Sequence, residues 1–206
     1  MSIMKKQIFL LENILRKTTN IYCLILILFL FINSNSVAKE KWIIDQNISK
    51  ITFEVPVLFA RNVFGEFNSI DGFVEIDLEN KKNNKALLSI QIDSIVINYE
   101  KYRDLLLGPL FFDSKNFPLS VIDTKKFSYK NEDELELNIE LTLKGISKME
   151  KTKLQIKKLT NDIVQILGTL EFSRTDYNVG MDSWRNTTIL KDKIKINSNI
   201  FLIRVN

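Results

Sequence analysis

From Lys41 onward, apolar and polar residues alternate with a period of two. In "ELELNIELTL" (134–143), Leu135, Leu137, Ile139, Leu141 and Leu143 face one way, and Glu134, Glu136, Asn138, Glu140 and Thr142 face the other. Successive side chains of a strand point to opposite faces, so this run predicts a strand with one face buried and one in water. "KITFEVPV" repeats the pattern with Ile51, Phe53, Val55 and Val57 on one face. "FVEIDL" (73–78), "ALLSIQI" (86–92), "KTKLQIKKL" (151–159), "DIVQILGTLEF" (162–172) and "KIKINSNIFLIRV" (193–205) follow less strictly. Asp71-Gly72, "LENKKNNK", "YKNEDE", "KGISK" and Asn161-Asp162 break the runs as turn signals. The spacing predicts about eight strands in one all-β domain, an antiparallel barrel or sandwich.

One stretch departs from the alternation: "RDLLLGPLFFDSKNFP" (103–118), apolar yet placed in a connection. Asn98 is suited to cap a helix here, and Glu100 suits the positive end of its dipole. Tyr99, Tyr102 and Leu106 recur at helical spacing, and Gly108-Pro109 is a stop signal. A short helix over about residues 99–107 is expected, running into a loop that carries Phe111, Phe112 and Phe117.

Charge changes the picture only at the N-terminus. Residues 1–38 hold Lys5, Lys6, Arg16 and Lys17 against Glu12, which leaves +1 of the overall +4 for residues 39–206. A nearly neutral body offers no electrostatic footprint for nucleic acid. The basic residues precede a short apolar run, "IYCLILILFLFI" (21–32), and Ser36-Val37-Ala38 sets small residues at a cleavage position. This predicts a signal peptide over residues 1–38, cleavage after Ala38 and a periplasmic domain over 39–206. The run falls short of the roughly 20 apolar residues of a membrane span, and an uncleaved anchor is the rival reading.

Composition removes whole chemistries. The chain has no histidine, and its single cysteine, Cys23, lies in the N-terminal run. Neither a His-based nucleophile system nor a zinc or copper site with His or Cys ligands can be built, and no calcium-loop motif is present. No catalytic residue, metal or cofactor is therefore expected.

Five segments together resemble the YceI-like family of periplasmic lipid-binding proteins. They are "WIIDQNISKITFEV", "VFGEFNSIDGFVEID", "YRDLLLGPLFFDSKNFP", "LTLKGISK" and "FSRTDYNVGMDSW", in that order along the chain. The resemblance implies an eight-stranded, lipocalin-like antiparallel barrel with one short helix. It also implies an apolar tunnel holding a polyisoprenoid or quinone-type lipid. The chain departs from many members at Ile48-Ser49, where they carry His-Ser, and at Leu105–Leu107, where a histidine follows the Arg-Asp pair. Head-group chemistry resting on those histidines is absent here.

Phe53, Val55, Val57, Phe64 and Phe67 are read as tunnel lining under that resemblance, and as ordinary barrel core from periodicity alone. Leu106, Leu110, Phe111, Phe112 and Phe117 are read either as a plug or as a portal that touches lipid. Arg103 with Asp104, and Arg174 with Asp176, are expected to be structural pairs at a barrel mouth, or to meet the ligand head group. Trp42 and Trp184 are expected to pack at edges. The expected partner is an amphiphilic lipid, with transient membrane contact, in a monomer or homodimer. A small outer-membrane β-barrel is the alternative; against it stand the C-terminal Val205-Asn206 and the strand lysines, costly in a lipid-facing band. An enzyme finds no acid–base pair placed by the sequence.

Overall fold

The computed structural model describes residues 39–57, 62–130 and 132–205, so the expected signal segment lies outside the described residues. The period-two runs become antiparallel strands: β1 (Lys39–Ile44), β2 (Lys50–Val55), β3 (Val63–Phe67), β4 (Ile70–Asp77), β5 (Lys85–Gln91) and β6 (Ile95–Ile97). After the segment that departs from the pattern come β7 (Leu119–Asp123), β8 (Glu134–Leu143), β9 (Ile146–Lys158), β10 (Ile163–Ser173) and β11 (Lys193–Val205). Eight of them form a closed ring in the order β1-β4-β5-β7-β8-β9-β10-β11, sealed by β1 against β11. The eight-stranded barrel is present. It carries an additional branch, β2-β3-β6, which starts from β11.

The branch exists because β11 serves two partners along one edge. Residues 195–199 pair with β2, and residues 202–205 pair with β1. At the changeover, Asp45 N–H donates to the Phe201 carbonyl at 2.9 Å, and Phe201 N–H donates to Ser49 Oγ at 2.9 Å. Both backbone groups of Phe201 are thereby satisfied without a strand opposite them, as buried backbone requires. Ser49 is buried while its neighbour Ile48 is exposed.

Inside the ring, one continuous apolar core includes Trp42, Ile44, Ile51, Phe53, Ile139, Leu170 and Leu202. Gly65 on β3 lies against the Phe53 ring: a Cβ there would come within 2.3 Å of Cζ. The β8–β9 turn, Lys144-Gly145, has both residues at positive φ, and Gly145 lets the Phe117 ring sit on its backbone.

The helix is shorter than expected. A 3₁₀ turn (Glu100–Tyr102) leads into α1 (Arg103–Leu107), and Asn98 does not cap it. Its Oδ1 instead accepts from Phe64 N–H at 3.0 Å, and its amide donates to the Asn62 carbonyl, so it braces β3. The stop at Gly108 is as expected: Gly108 N–H donates to Leu105 O and the chain then leaves in an extended conformation. Lys144 Nζ donates to Pro109 O at 2.6 Å and Asn178 O at 2.8 Å, tying this loop to the β8–β9 turn.

Candidate functional site

The inward faces of the strands do not fill the barrel. Two chambers remain, of about 370 and 430 Å³. Ile51, Ile122, Leu170 and Ile196 border both, so the two spaces adjoin. The first chamber lies between the C-terminal ends of β8 and β10 and the N-terminal end of β11, represented by Leu143, Phe172 and Ile194. The second occupies the opposite end, against Trp42, Leu135, Ile156, Val164 and Leu202.

β2, Val57 just beyond it, and β3 supply one wall of the first chamber through Phe53, Val55, Val57 and Phe67. The helical segment supplies another through Tyr99, Tyr102, Leu105 and Leu106. From the following loop, Phe112 meets Phe67 edge-on with centroids 6.0 Å apart, and Phe111 meets Trp184 at 5.8 Å. Aromatic pairs prefer such tilted contacts over a face-to-face stack.

Several expectations need correction. Phe64 is 50% exposed and faces away from the chamber. Positions 64 and 67 are three apart on one strand and so cannot share a face. Val63, Gly65 and Phe67 take the inward side, and Val63 lines the chamber. Leu110 packs on the core and Phe117 on Gly145, and neither borders a chamber. Trp42 and Trp184 do not pack at edges: Trp42 lines the second chamber and Trp184 the first.

Neither arginine makes the expected pair. Arg103 donates to the carbonyls of Asp93 (2.5 Å) and Ile95 (3.2 Å), while Asp104 stands exposed. It thereby covers backbone beside β6, the end strand of the branch, whose edge would otherwise be open. Arg174 is only 2% exposed and borders the first chamber. Its Nε donates to Lys191 O, one terminal nitrogen to Val179 and Gly180 O, and the other to Trp184 and Leu190 O, all within 3.0 Å. A guanidinium has five N–H donors, so none is left for a ligand. Burial pulls its pKa down, and the nearby Asp192 charge opposes that. Asp176 lies outside, paired with Lys148 at 3.1 Å.

The polar groups at the mouth of the first chamber are therefore Tyr99, Lys101 and Tyr102, which the reading of the sequence did not select. Lys101 and Tyr102 are exposed, and Lys101 Nζ lies 4.9 Å from the Tyr102 ring centroid. Deeper in, Ser120 Oγ donates to Thr142 O at 2.8 Å. Among the described residues, no buried side-chain nitrogen or oxygen lacks a hydrogen-bond partner. The interior thus offers shape and apolar surface, with polar choice confined to the ends. Leu105 also lines this chamber.

The same barrel occurs in solved structures. BcnA of Burkholderia cenocepacia superposes with a TM-score of 0.69 at 20% identity, covering 77% of this chain and 98% of its own. A polyisoprenoid-binding domain from Saccharophagus degradans, described as implicated in plant cell wall breakdown, gives 0.62 at 14% identity, with coverage of 79% and 97%. The YCEI protein of Campylobacter jejuni gives 0.61 at 20% identity, covering 73% of this chain and 90% of its own. At these identities the likeness is one of fold. No curated protein matches the chain. The family model described as the YceI-like domain spans residues 42–202, and the chain belongs to the YceI-like family.

Proposed function

We propose that this protein binds, without catalysis, a long-chain isoprenoid or quinone-type lipid whose tail lies in the first chamber. The observation that carries this reading is that chamber's wall: aliphatic and aromatic side chains from β2, β3, β8, β10, β11 and the helical segment, with its buried polar groups already satisfied. Each CH₂ moved there from water contributes about 0.8 kcal/mol. Ten such groups give roughly 8 kcal/mol, the scale of micromolar binding before ordering costs are subtracted. A prenyl chain is held by such a wall without any specific polar contact. The printed description of the Saccharophagus domain as polyisoprenoid-binding is consistent with this ligand class.

The expected signal peptide places this activity in the periplasm, where the protein would carry or store the lipid. Residues 103–112 serve as the portal, with Tyr99, Lys101 and Tyr102 at the head group. The outer faces of β8 and β9 support a water-exposed barrel over an outer-membrane one, because Glu134, Glu136, Lys151 and Lys153 are exposed there. In a lipid-facing band, a lysine at mid-depth costs about 2–4 kcal/mol. The deciding experiment is purification from a periplasmic extract without detergent, followed by extraction and mass spectrometry. A co-purifying isoprenoid is the expected result. Absence of any amphiphile, with no binding of added polyprenols or quinones, overturns the reading.

A further inference from the structure

The outer surface of the barrel changes character along β11. Its outward positions beside β2 are Lys195, Asn197 and Asn199; beyond that pairing they become Phe201, Ile203 and Val205. The register carries this apolar face onto the neighbouring strands. Ile203 stands opposite Ile163 of β10 and Ile43 of β1, Ile43 opposite Phe73 of β4, and Phe73 opposite Leu87 of β5. These five side chains form one outward row, and none of them borders either chamber. Ile43, Ile203 and Val205 are 42%, 37% and 43% exposed. A lone exposed apolar residue is ordinary, but a contiguous apolar patch on a sheet face marks an interaction surface.

The charges beside the row are sorted by side. One step toward the start of β1 stand Lys41, Glu75 and Lys85, on β1, β4 and β5. One step the other way stand Asp45, Asp71 and Ser89. Two lysines against one glutamate leave +1 on the first edge, and two aspartates leave −2 on the second. Lys41 and Lys85 each lie 5.6 Å from the Phe73 ring centroid. Among the described residues, neither lysine and neither aspartate has an ion-pair partner.

We propose that this face joins two copies of the chain in an isologous dimer. Such an interface uses one patch twice, so the patch must complement itself. A two-fold axis lying along the row achieves this. It sets row on row with the strands antiparallel, and brings the lysine edge of each copy against the aspartate edge of the other. Ile43, Ile203 and Phe73 then lose their solvent at the centre, while the charges stay at the rim. An anionic lipid bilayer is the poorer occupant, because a surface that attracts the lysines repels Asp45 and Asp71. Few side chains meet, so the dimer is a weak one, with Kd on the order of micromolar. No residue of the row or its edges borders the first chamber, so the inference stands apart from what that chamber binds.

Sedimentation velocity of the protein from a periplasmic extract tests this, over a concentration range of about 1–200 μM. A monomer–dimer equilibrium is the expected result, and Ile43→Asp should weaken it about tenfold or more while leaving the thermal midpoint nearly unchanged. Lys41→Glu makes both edges negative, and Asp45→Lys with Asp71→Lys makes both positive, so each of these variants should self-associate poorly. Mixed one to one, the two should regain the association of the parent, because each negative edge then meets a positive one. Raised salt should diminish that rescue. Loosening of the fold does not give rescue by mixing. A monomer at every concentration overturns the proposal. So does a dimer indifferent to Ile43→Asp and to the charge reversals. A monomer that binds phosphatidylglycerol vesicles, and loses them on Ile43→Asp, overturns it as well and assigns the face to a bilayer.

Discussion

Arg174 shows how a residue can look like a ligand contact and be a scaffold. A buried cation at a chamber wall suggests an anion, yet five carbonyls around it take every N–H it has. The expected consequence of Arg174→Met is a loss of roughly 3 kcal/mol or more, because those carbonyls lose their donors inside the protein. Lysine has three donors and no fork, so Arg174→Lys should recover only part of this. Urea unfolding measures both, and a stable Arg174→Met protein with weakened lipid binding would instead make Arg174 a head-group residue. Gly65 gives a second test of the same kind. A methyl at position 65 meets the Phe53 ring and drives it toward the first chamber. Gly65→Ala should cost about 1–3 kcal/mol and lower polyprenol affinity, both measurable on one preparation.

At the scale of the element, the segment from Arg103 to Pro118 combines wall and fastening. Its wall is Leu105, Leu106, Phe111 and Phe112; its fastenings are Phe117 on Gly145 and the Pro109 carbonyl on Lys144. Phe112→Ala should reduce polyprenol affinity about tenfold, since a buried aromatic side chain contributes about 1.5–3 kcal/mol when fully covered. Phe64→Ala, on the outer face of β3, should leave that affinity unchanged; titration of both variants against one polyprenol checks the pair. Lys144→Met should raise amide hydrogen exchange at Phe111–Asp113 without unfolding the barrel. The apolar character and the stop of this segment were legible because Gly108-Pro109 acts locally. Asn98 was misread because its hydrogen-bonding partner lies on β3, 34 residues away in sequence, and no local pattern shows that. β3 was misread for a related reason: Gly65 holds an inward position with no side chain, so the alternation loses its marker there.

Across the molecule, the long strands were legible from strict alternation, but the empty space between them was not. An inward leucine follows the same period whether it packs against a neighbour or borders a chamber. The second chamber thus looked like core. Net ionisation behaviour is legible from composition. With no histidine in the chain, no side chain of ordinary pKa changes charge between about pH 5 and 8. Asp77 is pulled below its ordinary 3.8 mainly by the Asn83 side chain and the Asn80 amide. At Asp192 burial pushes the other way, yet the Ser173 and Thr175 hydroxyls and the Arg174 charge bring it below 3.8 as well. A folded-state value lower than the unfolded one means these groups stabilise fully above 3.8, and that contribution fades as pH falls through the lowered values. The thermal midpoint is expected to be flat from about pH 6 to 8 and to fall only below about pH 4. A drop within the neutral range would contradict this.

The pairing that seals the barrel joins the two ends of the described chain: Lys41 lies opposite Val205 and Ile44 opposite Leu202. β11 also holds β10 along eleven residue pairs and β2 along five. β11 is thus the strand on which three others converge. Contacts so distant along the chain form slowly, because a long loop must be closed before they are rewarded. Until Lys193–Val205 has docked, neither chamber has a complete wall, since Ile194 borders the first and Leu202 the second. The container therefore closes only once segments from both ends of the described chain have met.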